Sequence, residues 1–145
     1  MNKVVIPAMS RVLFDSDLII TRLLLGFSEV MWSILLLWPG ETFSRPTYHV
    51  MSEVMPEEAW GALFLVTGAV QFTIVGMEHF HSMFARYFAC WNACLWVFTV
   101  VGMFLSVYPP PAAISGEVAL MLAAIWIWIR PAILMIGMAR AAGSK

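Results

Sequence analysis

Four apolar stretches, Leu18 to Trp38, Trp60 to Met77, Phe84 to Val107 and Ile114 to Met138, alternate with short connections that carry six of the chain's eight prolines and, together with the two ends of the chain, most of its charge. Each stretch meets the need for about 20 predominantly apolar residues to cross a bilayer as a helix. The pattern predicts an all-α fold: a four-transmembrane-helix bundle with spans over about 18–38, 58–77, 84–107 and 114–138, forming a single integral membrane domain over 1–145. Within the first stretch, Arg22, Gly26, Glu29 and Ser33 fall at i, i+4, i+7 and i+11. That spacing lines one helix face, and a face so polar is expected to point into the bundle.

The connection between the first two spans has a pattern of its own. Pro39-Gly40 stops the first helix, and Pro46 can start a short one in which Tyr48, Met51 and Met55 recur opposite His49, Ser52 and Glu53. We read this as a short amphipathic external helix lying on the membrane surface. Met55-Pro56-Glu57-Glu58 reads as the start of the next span, with proline where a donor is not needed and acids at the positive helix end. Trp38 and Trp60 flank the segment as expected interfacial anchors. Tyr108-Pro109-Pro110-Pro111 predicts a stiff hairpin between the last two spans.

Composition agrees with lipid as the solvent. Hydrophobic residues make up 61% and charged residues 12% of the 145 residues, against about a quarter charged in soluble domains. A net charge of −1 without a basic cluster gives no reason to expect nucleic-acid binding. No small-residue cleavage site precedes the first span, so no signal peptide is expected. Lys3, Arg11, Arg22, Arg86, Arg140 and Lys145 lie toward one side of the predicted spans, and Arg45 alone toward the other. By the positive-inside rule both termini are cytoplasmic and the Glu41–Glu57 connection is external. The expected setting is a bacterial inner membrane, with membrane lipid as the first partner.

Arg22, Glu29 and Arg130 are charges inside apolar stretches, where each costs about 2.5 to 3.5 kcal/mol on insertion scales. At 1.5 Å per residue, Glu29 lies about 16 Å and Arg130 about 12 Å from the inner ends of their predicted spans, Gln71 about 9 Å and Asn92 about 12 Å. This shared depth predicts a Glu29–Arg130 ion pair, with Asn92 and Gln71 satisfying the remaining donors. Pro131 frees the carbonyl of Ile127 and is expected to kink the fourth helix. Two readings stay open: a buried network that fixes helix register, or a polar layer lining a proton, ion or substrate path.

Small residues form further ridges: Ala85, Ala89 and Ala93 on the third span, Gly61 and Gly68 on the second, Ala119 and Ala123 on the fourth. These allow close helix approach, within one chain or between copies in a homo-oligomer. Glu78-His79-Phe80-His81 has metal-capable side chains, but histidines at i and i+2 diverge on a helix, so no metal site is expected there. Cys90 and Cys94 are read as packing residues rather than a redox pair. No phosphate loop, nucleophile elbow, zinc helix or dinucleotide fingerprint occurs, so neither a cofactor nor an enzymatic activity is expected.

The segment Leu36 to Gly61, LLWPGETFSRPTYHVMSEVMPEEAWG, together with the four-span layout, resembles small multi-span membrane proteins of phages and prophages, some of them holin-like. That resemblance implies a non-enzymatic protein that alters membrane permeability by self-association. The chain departs from the usual holin pattern by ending in Ala139-Arg140-Ala141-Ala142-Gly143-Ser144-Lys145 rather than a strongly charged tail. A more distant resemblance in layout is to DoxX-type four-helix membrane proteins. Two alternatives stand beside the permeability reading. One is a small carrier or redox-associated subunit with an intramembrane Glu/Arg site. The other is a superinfection-exclusion or similar interaction protein acting through the external segment.

Overall fold

A computed structural model describes residues 8–40, 42–77, 82–107, 112 and 114–143, the side chains of 8–15, 134, 135 and 138–143 excepted. The described residues are all-α. Helix α1 runs Ala8–Leu37, α2 His49–Val54, α3 Glu57–Gly76, α4 Met83–Ser106 and α5 Ile114–Gly143, with single 3-10 turns at Thr42–Ser44 and Pro46–Tyr48. Four helices are long and apolar enough to cross a membrane, over Ser16–Leu37, Glu57–Gly76, Met83–Ser106 and Ile114–Ile133. The expected turn at Glu78–His81, the hairpin at Tyr108–Pro111, and Glu41, Lys3 and Lys145 lie outside the described residues, as do the side chains of Arg11 and Arg140.

Two boundaries differ from the sequence reading. Helix α1 begins at Ala8, ten residues before the predicted span, and α5 continues to Gly143. Hydropathy marks where a helix enters lipid and is silent about where its hydrogen-bond ladder starts, so polar flanking turns such as Ser10-Arg11 and Asp15-Ser16-Asp17 are underread. Helix α5 also stays helical through Pro131.

The bundle is built from two close pairs, α1 with α3 and α4 with α5. Glycine makes the first pair possible. A Cβ on Gly68 would stand 2.9 Å from the carbonyl oxygen of Gly26 and 3.0 Å from Val30 Cγ2, and one on Gly61 would stand 2.7 Å from Leu37 Cγ. The two backbones therefore meet where only hydrogen fits. Between the pairs, long side chains fill the interior: Arg22 and Leu25 from α1, Phe64 and Gln71 from α3, and Trp96 from α4 are all buried. Ala85, Ala89 and Ala93 are buried on the inner face of α4, Ala123 packs partly against the core, and Ala119 is exposed.

The short helix between α1 and α3 turns its apolar side into the protein, not onto a membrane surface. Met51 has no exposed surface, Tyr48 and Met55 pack against the core, and His49, Ser52 and Glu53 face outward. The backbone N–H of Val50 donates to Ser106 Oγ at 3.1 Å, which ties α2 to the end of α4. Trp60 is likewise no lipid-facing anchor. It is buried, its indole N–H donates to the Met51 carbonyl at 3.0 Å, and its ring stacks on Phe98 at 5.6 Å. Trp38, 68% exposed, has the outward position expected of an anchor. Pro56 precedes the first turn of α3, where Glu57 and Glu58 sit at the positive helix end. Glu57 has a second job: its two carboxylate oxygens accept the backbone N–H groups of Thr42 and Phe43, each at 3.1 Å, and so pin the incoming loop to α3.

Candidate intramembrane polar site

Helical periodicity sets what α1 buries. Leu18, Arg22, Leu25, Gly26, Glu29, Trp32, Ser33 and Leu36 are buried along one stripe, while Ile20, Leu24, Phe27, Ile34 and Leu35 on the other side are exposed to the lipid zone. On α3 the buried stripe includes Phe64, Thr67, Gly68 and Gln71, and on α4 it includes Asn92, Ala93, Trp96 and Thr99. Arg22, Glu29, Ser33, Gln71, Asn92 and Arg130 are all turned inward, none more than 6% exposed.

They do not form the expected layer. Arg130 Nε lies 3.8 Å from Oδ2 of Asp17 on α1, whose side chain is 55% exposed. Glu29 instead accepts the indole N–H of Trp96 at 3.2 Å. The reason is depth. Counted from the helix ends on the α2 side at 1.5 Å per residue, Glu29 is about 12 Å down from Leu37, whereas Arg130 is about 24 Å down from Ile114. The same count puts Arg22 at about 22 Å and Gln71 at about 21 Å, and these two meet: an Arg22 guanidinium nitrogen donates to Gln71 Oε1 at 2.8 Å and another to the Ala85 carbonyl at 3.2 Å. Gln71 thus serves Arg22, not Arg130.

Three levels follow along α1. The lowest holds cations, Arg22 with Gln71 and Ala85, and Arg130 with Asp17. The middle level is Glu29. Asn92 approaches the Glu29 carboxylate without closing a hydrogen bond, and Glu29 Oε2, Ser33 Oγ and both amide atoms of Asn92 are buried with no hydrogen-bonding partner from the protein. The upper level is aromatic: Trp32 contacts Phe64 at 5.7 Å and Trp96 at 6.4 Å, Phe64 contacts Trp96 at 5.6 Å, and Tyr48 closes over Trp32 at 5.9 Å. Offset and edge-on ring pairs of this kind form a dense apolar plug.

A buried carboxylate that receives one neutral donor is an uncompensated charge, and low-dielectric surroundings make it costly. Glu29 therefore favours any event that neutralises it, by a proton or by a cation. The aromatic plug above and the guanidinium layer below separate it from both ends of the bundle. Among the described residues no group of three His, Cys, Asp or Glu side chains could hold a metal ion, and Cys90 and Cys94 are free thiols on a partly exposed side of α4.

Trp96, Trp32 and Asp17 escaped the sequence reading. Trp96 stands one turn beyond Asn92, on the same face, which is the one signal that could have placed its N–H near the buried acid. No family model, curated protein or solved structure matches the chain.

Proposed function

We propose that this four-span protein is a small, non-enzymatic membrane carrier or relay that takes up and releases a proton or small cation at Glu29 inside the bundle. One observation carries the reading: Glu29 Oε2 is buried without a hydrogen-bonding partner from the protein, as are Ser33 Oγ one turn along the same face of α1 and both amide atoms of Asn92. Structural networks in membranes satisfy their members, because lipid offers no replacement for water. A cluster left open around an ionisable group fits exchange better than it fits a clamp. Arg22, fixed by Gln71 and Ala85, acts in this reading as a positive barrier on the inner side. The distribution of Lys and Arg supports cytoplasmic termini in a bacterial inner membrane.

The permeabilising alternative depends on small-residue faces being free for self-association. Gly61, Gly68, Ala85, Ala89 and Ala93 are buried within the chain, whereas Ala119 on α5 is exposed and Ala123 half-buried, so among these ridges the one on α5 is left for another copy to use.

Purified protein in liposomes under an imposed pH gradient and membrane potential, followed with an entrapped pH dye, tests the proposal. Wild type should dissipate the gradient and Glu29→Gln should reduce that rate at least about tenfold with unchanged insertion. Equal rates in the two would refute it.

A further inference from the structure

We infer that Trp96 is the gate of the Glu29 centre: its indole closes the aromatic plug on the α2 side while Glu29 is charged, and the ring is released when Glu29 is neutralised. This rests on the carrier reading above and adds how the site opens toward one end of the bundle.

Trp96 belongs to two structures at once. Its N–H is donated to Glu29 Oε1 at 3.2 Å, and its ring stands edge-on to Trp32 at 6.4 Å and tilted against Phe64 at 5.6 Å. All three rings are buried. From Trp32 the contacts run on to Tyr48 at 5.9 Å, and from Tyr48 to Phe43 at 5.8 Å, in the segment that Glu57 pins. Tyr48 and Phe43 are half-buried, so the rings form a continuous series from the buried carboxylate to the surface on the α2 side. Among the described residues Trp96 is the ring of this series whose polar atom reaches Glu29.

The bond that holds the ring depends on charge. An N–H donated to an ionised carboxylate is roughly twice as strong as one donated to a neutral acceptor. The indole occupies Oε1, so an arriving proton settles on the partnerless Oε2, and Trp96 then faces the oxygen of a neutral acid. No other charge takes over the hold. None of the buried residues of α3 or α4 is ionisable. Arg22 lies about 10 Å further along α1 and is committed to Gln71 and the Ala85 carbonyl, while Arg130 of α5 pairs with Asp17.

Other bonds hold the backbones. Arg22 ties α1 to the Ala85 carbonyl of α4 on one side of Trp96, and the Val50 N–H ties α2 to Ser106 Oγ of α4 on the other. Neither tie contains a group that titrates near neutral pH. Weakening the Glu29 bond therefore frees a side chain rather than a helix, and a ring in a close-packed interior moves by jumps between discrete rotamers. The opening falls on the α2 side, because Arg22 keeps its charge and its bonds below Glu29 in both states.

The test is solvent exchange of indole N–H groups in full-length protein in lipid nanodiscs, read by NMR with isotope-labelled tryptophan. Trp60 is the internal reference, since its buried N–H donates to the Met51 carbonyl, which does not titrate. Trp96→Phe and Trp60→Phe assign the two signals. The ratio of the Trp96 rate to the Trp60 rate cancels the intrinsic effect of pH on exchange. It should rise about tenfold from alkaline to acid pH in wild type, and stay high at every pH in Glu29→Gln, where the acceptor is always neutral. Proton flux is measured on the same preparations in liposomes. Trp96→Phe keeps a ring and loses the N–H, so it should raise flux about tenfold at alkaline pH and match wild type at acid pH, a change of pH profile that lost packing alone does not give. A pH-independent ratio in folded wild type with Glu29-dependent proton flux would overturn the gate and leave the carrier reading standing. A pH-independent ratio without such flux would overturn both. A ratio that rises on acidification in Glu29→Gln as it does in wild type would assign the response to another group and overturn the gate.

Discussion

Trp96 on α4 donates its indole N–H to Oε1 of Glu29 on α1 at 3.2 Å, across the seam between the two close helix pairs. Among the described residues it is the direct polar bridge between α1 and α4 at that depth, since Asn92 approaches the same carboxylate without bonding to it. A hydrogen bond to a charged acceptor contributes about 1.5–3 kcal/mol. A double-mutant cycle with Trp96→Phe and Glu29→Gln, read by unfolding in mixed micelles, should therefore give a coupling of about 1–2 kcal/mol. Additive single effects would mean that the two side chains do not interact.

The α1–α3 contact should be the least tolerant place in the bundle. At Gly68 even a methyl group meets the Gly26 carbonyl at 2.9 Å, a backbone atom that cannot swing aside. Gly68→Leu is expected to cost at least about 2 kcal/mol through overpacking, whereas Ala119→Leu, on an exposed position of α5, should stay within about 0.5 kcal/mol. Thermal unfolding in one detergent compares the two directly.

Glu57 should act as the latch of the segment between α1 and α3. Glu57→Ala removes the acceptor for Thr42 and Phe43 while leaving Glu58 at the start of α3. Amide hydrogen exchange should speed up by at least about tenfold at Thr42 and Phe43, the loss of about 1.4 kcal/mol of local protection, with the middle of α3 unchanged. Uniform acceleration along α3 would instead make Glu57 a helix-start residue alone.

Alkali should loosen the same end of the bundle. Burial raises the Tyr48 phenol above its ordinary value of 10.0, and Glu117 and then Glu57 push the same way against Arg45. The folded protein thus holds the phenolic proton more tightly than the unfolded chain does. The resulting stability is complete below pH 10.0 and is lost as pH rises toward the folded value. Tyr48→Phe should flatten that alkaline decline in a pH series of unfolding midpoints; an unchanged decline would assign it to other groups.

Much of this was legible from spacing. A period of 3.6 put Arg22, Glu29 and Ser33 on one inward face, and the polarity of Gln71 and Asn92 marked them as interior. What spacing could not carry was height: the helix ends away from α2 have no hydropathy edge, so Glu29 and Arg130 seemed level, while counted from the ends on the α2 side Arg130 lies about 12 Å deeper. Trp96 and Trp60 were hidden for another reason. Tryptophan is common at lipid interfaces, and only the fold shows that these two turn their N–H groups inward, to Glu29 and to the Met51 carbonyl. The double role of Glu57 depends on Thr42 and Phe43 coming within reach of the start of α3, which has no signature in residue type.

The most direct test of the account is infrared difference spectroscopy of the protein in lipid between acid and alkaline pH, for wild type and Glu29→Gln. One protonated-carboxyl band that belongs to a dehydrated acid should appear in wild type, vanish in Glu29→Gln, and shift in Trp96→Phe as the carboxyl loses its donor. Superimposable spectra of wild type and Glu29→Gln across the whole pH range would contradict an exchangeable charge at Glu29.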